Sequence, residues 1–369
     1  MALAIYRKYR PASFEELLGQ EIIVKVLKEE AAQNRLSHAY LFSGPRVTGK
    51  TTTARLIAKI ANCETRRNDA EFRKLGEPCN KCNTCANIDA GRSLDIYEID
   101  AASNRGIDEI RDLKENIRLA PSSLDYKVFI IDEAHMLTKE AFNALLKTLE
   151  EPPAYAIFIL ATTEIEKILP TISSRTQQFQ FKRVSLKQIS EKLEKIAKKE
   201  KIEVTNEALE LIASSAEGSF RDAESLFDQL ISFYETEIKL QDVEKTIGKV
   251  GFDRLSNLAD SILQSDKEGT LRKLSEIEQA GYNIAQFAKD LIQYFRRVAV
   301  LKFDPGMHKL LEREFIPEHV QKLVRHAELF TKSHLEFLKS LIVAYGQMRY
   351  SQFPIIPLEV TIIEFLSER

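Results

Sequence analysis

One octet, residues 44–51, constrains the fold of this chain more than any other stretch. It reads Gly44, Pro45, Arg46, Val47, Thr48, Gly49, Lys50 and Thr51. Its glycines let backbone N–H groups converge on a phosphate tail, Lys50 can reach the β- and γ-phosphates, and the Thr51 hydroxyl can bind Mg²⁺. The apolar run 39–42 predicts a strand before the octet, and residues 51–62 predict a helix whose N-terminus faces the anion. The octet is therefore predicted to be a Walker A phosphate loop that binds a nucleoside triphosphate.

A second motif indicates what the chain does with the nucleotide. The apolar run 128–131 is typical of a central parallel strand, and it ends in Asp132 and Glu133. Acids at the carboxyl end of such a strand lie beside the phosphate crevice. We expect Asp132 to hold Mg²⁺ and Glu133 to orient and polarise the attacking water. Because a protein that only binds nucleotide can dispense with Glu133, the pair of motifs predicts a hydrolase.

Length and composition limit the remaining possibilities. A chain of 369 residues is expected to hold two or three domains. The net charge of −2 provides no overall basic field, so any contact with nucleic acid must be local. Charged residues begin at Arg7, too early for a signal peptide, and no apolar run is long enough to span a membrane. We therefore expect a cytoplasmic protein with no membrane contact and with reduced thiols.

The cysteines form a single short cluster with the spacing C-x15-C-x2-C-x2-C. The chain has four of them, Cys63, Cys79, Cys82 and Cys85. A reducing compartment disfavours two disulfides, and the tight spacing suits a tetrahedral ion. Four thiolates favour Zn²⁺, with an iron–sulfur cluster as the alternative. Since four protein ligands would close the coordination sphere, the predicted zinc is structural.

The remaining pattern predicts an α/β domain followed by helices. Candidate strands are 40–43, 95–99, 128–131, 157–161 and 177–181. Two of the helices between them are marked by Ile107, Ile110, Leu113 and Ile117, and by Phe142, Leu145, Leu146 and Leu149. Such alternation predicts a parallel sheet covered on both faces. From Ser185 onward only helices are predicted, with Thr205 as a helix cap and with 248–251 separating a small helical part from an all-helical tail.

Several further motifs follow the pattern of one protein family. They are Tyr9-Arg10-Pro11 with Phe14, Gly19-Gln20, the segments 130–137 and 142–153, and the inserted cysteine cluster. These motifs resemble the tau/gamma subunit family of the bacterial DNA polymerase III clamp loader, within the AAA+ ATPase superfamily. The resemblance covers nearly the whole chain. It implies an AAA+ P-loop core at 1–182 with a zinc module at 63–85, a helical lid at 183–247, and a helical collar at 248–369 that joins subunits.

The resemblance also implies roles for three further residues. Thr163, at the end of the fourth candidate strand, matches the sensor-1 position, where a hydroxyl contacts the γ-phosphate or the attacking water. Arg175 matches the arginine that reaches into a neighbouring subunit's site. Arg221 matches the sensor-2 arginine of the lid, which contacts the γ-phosphate of its own subunit. Together with Lys50 and Glu133, these residues form the expected catalytic set.

A mechanism and a set of partners follow from the same resemblance. ATP binding is expected to assemble a pentameric spiral that opens a ring-shaped sliding clamp and grips primed DNA, and hydrolysis then releases the clamp. The implied partners are further copies of this chain, the delta and delta prime loader subunits, the clamp, and DNA held by its backbone. Arg105 is a candidate phosphate contact, and a plain surface arginine is the alternative.

Two departures from the family pattern keep other interpretations open. Val47 stands where the family has glycine, and Thr176 stands where it has cysteine. A β-branched residue is poorly suited to positive φ, so a weakly hydrolysing nucleotide-binding scaffold is the alternative function. A DNA-translocating AAA+ motor would not explain the cysteine insert. A zinc module that binds nucleic acid would need more basic and aromatic residues than Phe72, Arg73 and Lys74 supply.

Overall fold

The computed structural model describes residues 4–103, 115–234, 236–312 and 314–367. The chain divides into two units. The first is Met1–Val184 together with Ser219–Arg221, and the second is Ser185–Gly218 together with Asp222–Arg369. Within the described ranges, no helix combines the length and the apolar character needed to cross a membrane.

Five parallel strands form the sheet of the first unit. They are β1 Ala39–Ser43, β2 Ile96–Asp100, β3 Lys127–Asp132, β4 Ala156–Thr162 and β5 Gln177–Gln180, in the spatial order β2-β3-β4-β1-β5. β1 lies between β4 and β5, with Ser43 opposite both Thr162 and Gln180. Every residue of β4 is buried, as expected of a strand covered on both faces. The carboxyl ends of β1, β3 and β4 therefore meet at one edge of the sheet, where binding sites of open parallel sheets lie.

Helices cover both faces of this sheet. The first unit contains α1 Ile5–Lys8, α2 Glu21–Ala32, α3 Lys50–Asn62, α4 Glu64–Asn68, α5 Ala70–Arg73, α6 Asn83–Asp89, α7 Lys139–Glu150 and α8 Pro170–Ser173. Short 3-10 turns occupy Phe14–Glu16, Ala134–Met136 and Ile165–Lys167. One apolar cluster joins α2 and α3 to the sheet through Leu27 and Ile57. A second cluster joins α7 to the opposite face through Leu145 and Leu149.

Helices also make up most of the second unit. From Ser185 onward they are α9 Leu186–Glu200, α10 Asn206–Ser215, α11 Phe220–Phe233, α12 Leu240–Ile247, α13 Phe252–Leu263, α14 Lys267–Gln279, α15 Ile284–Phe303, α16 His308–Leu311, α17 Pro317–Leu329, α18 Lys332–Met348 and α19 Ile355–Ser367. A 3-10 turn, Pro305–Met307, precedes α16. Thr205 caps α10 as predicted, since its hydroxyl accepts the Ala208 N–H at 3.3 Å. One apolar cluster, which includes Phe287, Leu291 and Phe295, forms the core of the helices from α13 onward.

The structure confirms the five predicted strands, each end lying within one residue of its predicted position. The prediction that no strand follows Ser185 is wrong, because β6 Glu203–Val204 and β7 Glu237–Ile238 pair in parallel. Strands this short carry no periodic signal in the sequence. Ile107, Ile110 and Leu113 lie outside the described residues, whereas Ile117 is buried in the helical residues 115–118. The predicted domain boundaries after residues 182 and 247 stay predictions, and the division between the units lies between Val184 and Ser185.

Candidate functional site

The phosphate loop connects the end of β1 to the start of α3 and requires glycine at two positions. Gly44 has φ +137° and Gly49, the N-cap of α3, has φ +101°. A Cβ at Gly44 would lie 2.4 Å from the backbone oxygen of Phe181. No side chain fits there without displacing the backbone that follows β5. The loop is therefore shaped by the strand beside it as well as by its own sequence.

Val47 occupies the left-handed region, with φ +59°. Because the family has glycine at this position, the sequence pointed to positive φ here. This conformation is unfavourable for a β-branched side chain. The chain thus keeps the backbone of the loop and tolerates the strain. Strain of this kind persists only where surrounding structure fixes the conformation.

Lys50 is buried within the loop, with 6% of its surface exposed. Its Nζ donates to the backbone oxygens of Gly44 at 2.8 Å and Pro45 at 2.6 Å. Burial lowers the pKa of Lys50 below its ordinary value, although the Asp132 and Glu133 carboxylates raise it in part. A buried cation held by neutral carbonyls gains most when an anion such as a phosphate replaces them.

The two predicted Mg²⁺ ligands lie side by side. The Thr51 hydroxyl lies in the first turn of α3, and Asp132 is the last residue of β3. The hydroxyl donates a hydrogen bond of 2.7 Å to Asp132 Oδ2. A hydroxyl and a carboxylate are oxygen ligands of the kind that Mg²⁺ prefers. The arrangement therefore brings both ligands to the mouth of the phosphate loop.

Glu133 follows directly and is held in place by the next strand. It has φ +47°, and its Oε2 accepts the Thr163 hydroxyl at 3.0 Å. Arg46 of the phosphate loop lies 3.6 Å from Glu133 Oε1. Thr163 thus contacts the carboxylate that the sequence assigns to water activation, and it holds that carboxylate towards the loop.

His135 is a site residue that the sequence reasoning did not single out. Its Nδ1 lies 3.1 Å from Thr162 Oγ1 and 3.4 Å from Glu133 Oε2, and its Nε2 lies 3.2 Å from Glu164 Oε1. The side chain is 5% exposed. The only signal for it in the sequence is its position two residues after Glu133, which does not reveal which partners it meets.

The predicted arginines do not contact the phosphate loop in this structure. Arg175 pairs with Glu150 at 2.7 Å and donates to the backbone oxygen of Thr171 at 2.8 Å. The Arg221 guanidinium lies 4.9 Å from the centre of the Tyr6 ring, and its segment, Ser219–Arg221, belongs to the first unit. Arg105 lies outside the described residues.

Arg10 belongs to a group of cations that the sequence did not reveal. Burial lowers the pKa of Arg10, and repulsion from Arg55, Arg221 and Arg7 adds to this effect. Arg55 lies one turn after Thr51 on α3 and forms two hydrogen bonds of 2.8 Å with Glu98. The Glu98 carboxylate offsets part of this repulsion.

The four cysteines converge, as their spacing predicted. The sulfur atoms of Cys63, Cys79, Cys82 and Cys85 all lie within 4.8 Å of one another, and all four thiols are free of disulfides. Backbone N–H groups of Cys82 and Cys85 approach the sulfurs of Cys79 and Cys82 at 3.3 and 3.4 Å. A hydrogen bond from Cys85 and the N–H groups of Arg66 and Cys79 lower the pKa of Cys63 to about 4. Four thiols this close, without disulfides, fit a metal site.

Three family models match successive parts of the chain. Residues 19–185 match the model described as DNA polymerase III, delta subunit. Residues 188–235 match the ATPase lid domain of the DNA polymerase III clamp loader subunit. Residues 238–368 match domain III of the DNA polymerase III subunits gamma and tau. With the parallel sheet, these matches confirm the predicted fold class.

Curated relatives carry the same names. The chain is 43% identical to DNA polymerase III subunit tau of Bacillus subtilis over 98% of its own length, and 39% identical to subunit tau of Escherichia coli over 81%. It spans 62% and 46% of those two proteins. It is 36% identical to DNA polymerase III subunit gamma of Buchnera aphidicola, with 88% of this chain and 85% of that protein covered. The chain therefore belongs to the gamma/tau subunit family of the DNA polymerase III clamp loader.

Proposed function

We propose that this chain is an ATP-hydrolysing subunit of the clamp loader, in which ATP binding and hydrolysis drive opening of the sliding clamp and its loading onto primed DNA. The observation that carries the proposal is the set of hydrogen bonds linking the phosphate loop to the ends of two strands. Thr51 bonds Asp132, and Thr163 bonds the neighbouring Glu133. The residues to which we assign Mg²⁺ binding and water activation therefore lie together at one edge of the sheet.

Each residue of the set has a distinct task in the proposed reaction. Gly44 and Gly49 shape the loop, and Lys50 exchanges its carbonyl partners for the β- and γ-phosphates. Thr51 and Asp132 would hold Mg²⁺, which neutralises phosphate charge when bound. Glu133 orients and polarises the attacking water, and Thr163 keeps its carboxylate in position or contacts the γ-phosphate. Division into core, lid and collar at residues 182 and 247 belongs to the same proposal.

Two arginines would complete the site, one from the same subunit and one from a neighbouring subunit. Charge builds on the γ-phosphoryl oxygens in the transition state, and a guanidinium from a neighbour can neutralise it. We assign this task to Arg175, whose present partner is Glu150, and we assign γ-phosphate contact within the same subunit to Arg221. The proposed partners are further copies of this chain, delta and delta prime subunits, the clamp, and DNA held by its backbone, all in the cytoplasm.

The cysteine cluster would hold one structural Zn²⁺. Tetrahedral zinc with Zn–S bonds of about 2.3 Å separates its sulfurs by about 3.8 Å. The observed limit of 4.8 Å leaves room for a single ion among Cys63, Cys79, Cys82 and Cys85. An iron–sulfur cluster, the alternative, places its cysteines around several iron atoms and needs wider spacing.

The strained backbone at Val47 favours a second candidate function. Its φ of +59° is strained for valine, which favours a role as a scaffold that binds nucleotide and hydrolyses it weakly. The intact Lys50, Thr51 and Glu133 favour the hydrolytic function. The rate of turnover, with and without clamp, primed DNA and companion subunits, separates the two candidates and tests the clamp-loading role.

The residue roles are tested by a pair of substitutions. We expect Lys50→Ala to weaken Mg-ATP binding at least tenfold, about 1.4 kcal/mol, since it removes the charge-assisted phosphate contact. Glu133→Gln should bind Mg-ATP normally and lose about 100-fold or more in turnover, because an amide cannot polarise water. Calorimetry and a phosphate-release assay measure the two effects, and the exposed Glu166→Gln serves as control. If Glu133→Gln hydrolyses ATP at the parental rate, Glu133 is not the carboxylate that activates water.

A further inference from the structure

The segment Phe14–Gln20 contacts the phosphate loop through the side chains of Leu17 and Gln20. The Leu17 side chain lies so close to the loop that a Cβ at Gly49 would be 3.4 Å from Leu17 Cδ2. The Gln20 side-chain amide donates to the backbone oxygens of Lys182 at 2.8 Å and Thr48 at 3.5 Å. These contacts involve Thr48 and Gly49 of the loop and Lys182, the neighbour of Phe181. Displacement of this segment would therefore remove two contacts that act together with β5 to hold the loop in its binding geometry.

The start of this segment is fixed by one carboxylate. Glu77 Oε2 accepts the backbone N–H of Phe14 at 2.8 Å, and Glu77 Oε1 accepts that of Glu15 at 3.2 Å. Glu77 thereby satisfies the first N–H groups of the 3-10 turn Phe14–Glu16, as a helix cap does. Lys28 of α2 bridges the Glu15 and Glu77 carboxylates at 2.9 and 3.1 Å. At 9% exposure, Glu77 makes these bonds largely out of water, where their loss is costly.

Glu77 belongs to the cysteine module, residues 63–89, and lies two positions before Cys79. The module is fixed to the same region by buried cations. Arg66, 4% exposed, donates to the backbone oxygen of Ala31 at 2.7 Å. Lys59 of α3 bonds both carboxylate oxygens of Asp89 at 3.0 and 2.9 Å. The module thus contacts α2, which follows the segment Phe14–Gln20, and α3, which follows the loop.

The module combines its four thiols with short helices and hydrogen bonds such as that from the Thr84 hydroxyl to Glu64 Oε1 at 2.7 Å. Its helices α4, α5 and α6 contain five, four and seven residues. Helices this short are unstable alone. Folding of such small domains is commonly coupled to metal binding. Loss of the ion is therefore expected to release residues 77–85, and Glu77 with them.

We propose that Glu77 is a positioning residue through which the metal-loaded cysteine module holds the phosphate loop in its nucleotide-binding geometry. Metal and nucleotide then bind this chain cooperatively, and each raises the affinity for the other by the same factor. The inference rests on the proposed function, in which the loop binds nucleotide and the cysteines bind an ion. It goes further by making the ion a determinant of nucleotide affinity.

The first measurement is the reciprocal coupling in the full chain. Calorimetry with Mg-ADP is carried out before and after zinc removal with a chelator selective for Zn²⁺ over Mg²⁺. We expect metal removal to lower nucleotide affinity about fivefold or more. Saturating Mg-ADP should raise zinc affinity by the same factor in a chelator competition. Equal nucleotide affinity in the zinc-loaded and zinc-free chain overturns the inference.

Variants of Glu77 locate the coupling. We expect zinc-loaded Glu77→Ala to keep its metal, to bind Mg-ADP about fivefold more weakly than the parent, and to lose the effect of nucleotide on zinc affinity. Glu77→Gln keeps one acceptor oxygen for Phe14 and should be intermediate. Glu71→Ala is the matched control, because Glu71 is exposed and pairs with Lys74 inside the module at 2.6 Å. It should behave as the parent does.

The possible outcomes separate the inference from the function on which it rests. A general loss of stability would weaken binding and leave the coupling factor intact, so full coupling in Glu77→Ala overturns the role of Glu77. If Glu77→Ala does not fold, the coupling factor of Glu77→Gln decides in the same way. Absence of Mg-ADP binding by the zinc-loaded parent would instead overturn the proposed function, and the inference with it.

Discussion

The phosphate loop and the cysteine module lie at opposite ends of one helix, α3, but different interactions determine their geometries. Gly49 precedes the helix and Cys63 follows it. The loop is held in a strained backbone by the buried sheet, with φ +59° at Val47 and the Phe181 oxygen closing the space at Gly44. The module consists of short helices around four thiols. A sheet can thus impose a conformation through packing, whereas a small insert needs a ligand.

The largest expected effect tests the role of the sheet. Gly44→Ala introduces a Cβ at φ +137°, 2.4 Å from the Phe181 oxygen, so the loop must move. We expect Mg-ADP affinity to fall about 100-fold, which corresponds to roughly 3 kcal/mol of strain. Calorimetry measures the affinity, and Gly91→Ala is the control.

Gly91 has φ +66° with open space around its missing Cβ. Its substitution should cost about 1 kcal/mol of stability and leave nucleotide affinity unchanged. If the two alanine variants bind Mg-ADP equally well, packing against β5 does not shape the loop, and the comparison between imposed and ligand-dependent geometry fails.

The second effect tests how far the geometry of the module depends on its ion. Protein purified without added zinc should contain about one Zn²⁺ per chain, and Cys82→Ser should lower that content because one of four thiolates is lost. Hydrogen exchange should rise across residues 63–89 while β1, β3 and β4 stay protected, and nucleotide affinity should fall by about fivefold. Metal analysis and mass spectrometry measure both.

Asn83→Ser, at the exposed neighbouring position, is the control for the introduced serine. An iron signal in the parent, or four free thiols without metal, would contradict the zinc assignment. Exchange that rises equally in the strands would show that the module stabilises the whole unit.

The smallest effect concerns the strain at Val47. Val47→Gly relieves a left-handed β-branched residue, so we expect the free energy of unfolding to rise by about 1 kcal/mol and turnover or nucleotide affinity to rise about twofold. Thermal unfolding and steady-state kinetics measure these changes. Asn34→Gly, at φ +55°, is the control, since asparagine tolerates this conformation and should gain less. Unchanged stability and kinetics would show that the sheet holds the loop at no cost.

The sequence predicted those parts of the fold whose signals are local. Apolar runs marked β1, β3 and β4 of the main sheet, β2 and β5 were also among the predicted strands, and the octet 44–51 marked the loop with its helix. Sequence also predicted that Thr51, Asp132 and Glu133 would meet, because carboxyl ends of parallel strands share an edge. The catalytic roles of these residues stay predictions.

Other features depend on contacts between distant parts of the chain and could not be predicted. The sequence around Glu77 does not indicate that its carboxylate accepts a hydrogen bond from the N–H of Phe14, 63 residues earlier. His135 and Lys59 are single polar residues whose partners are determined by packing. β6 and β7, of two residues each, are too short to have a periodicity.

The contact between Gly44 and Phe181 has a consequence for synthesis of the chain. The loop is encoded near the N-terminus, yet the backbone that closes it arrives only with β5, when Phe181 N–H bonds the Ser43 oxygen at 2.7 Å. A nascent chain that ends before this strand lacks the wall against which the loop is shaped. At about 5–20 residues per second, several seconds separate translation of the loop from its completion. The capacity to bind nucleotide is therefore expected only after β5 has been made and has paired with β1.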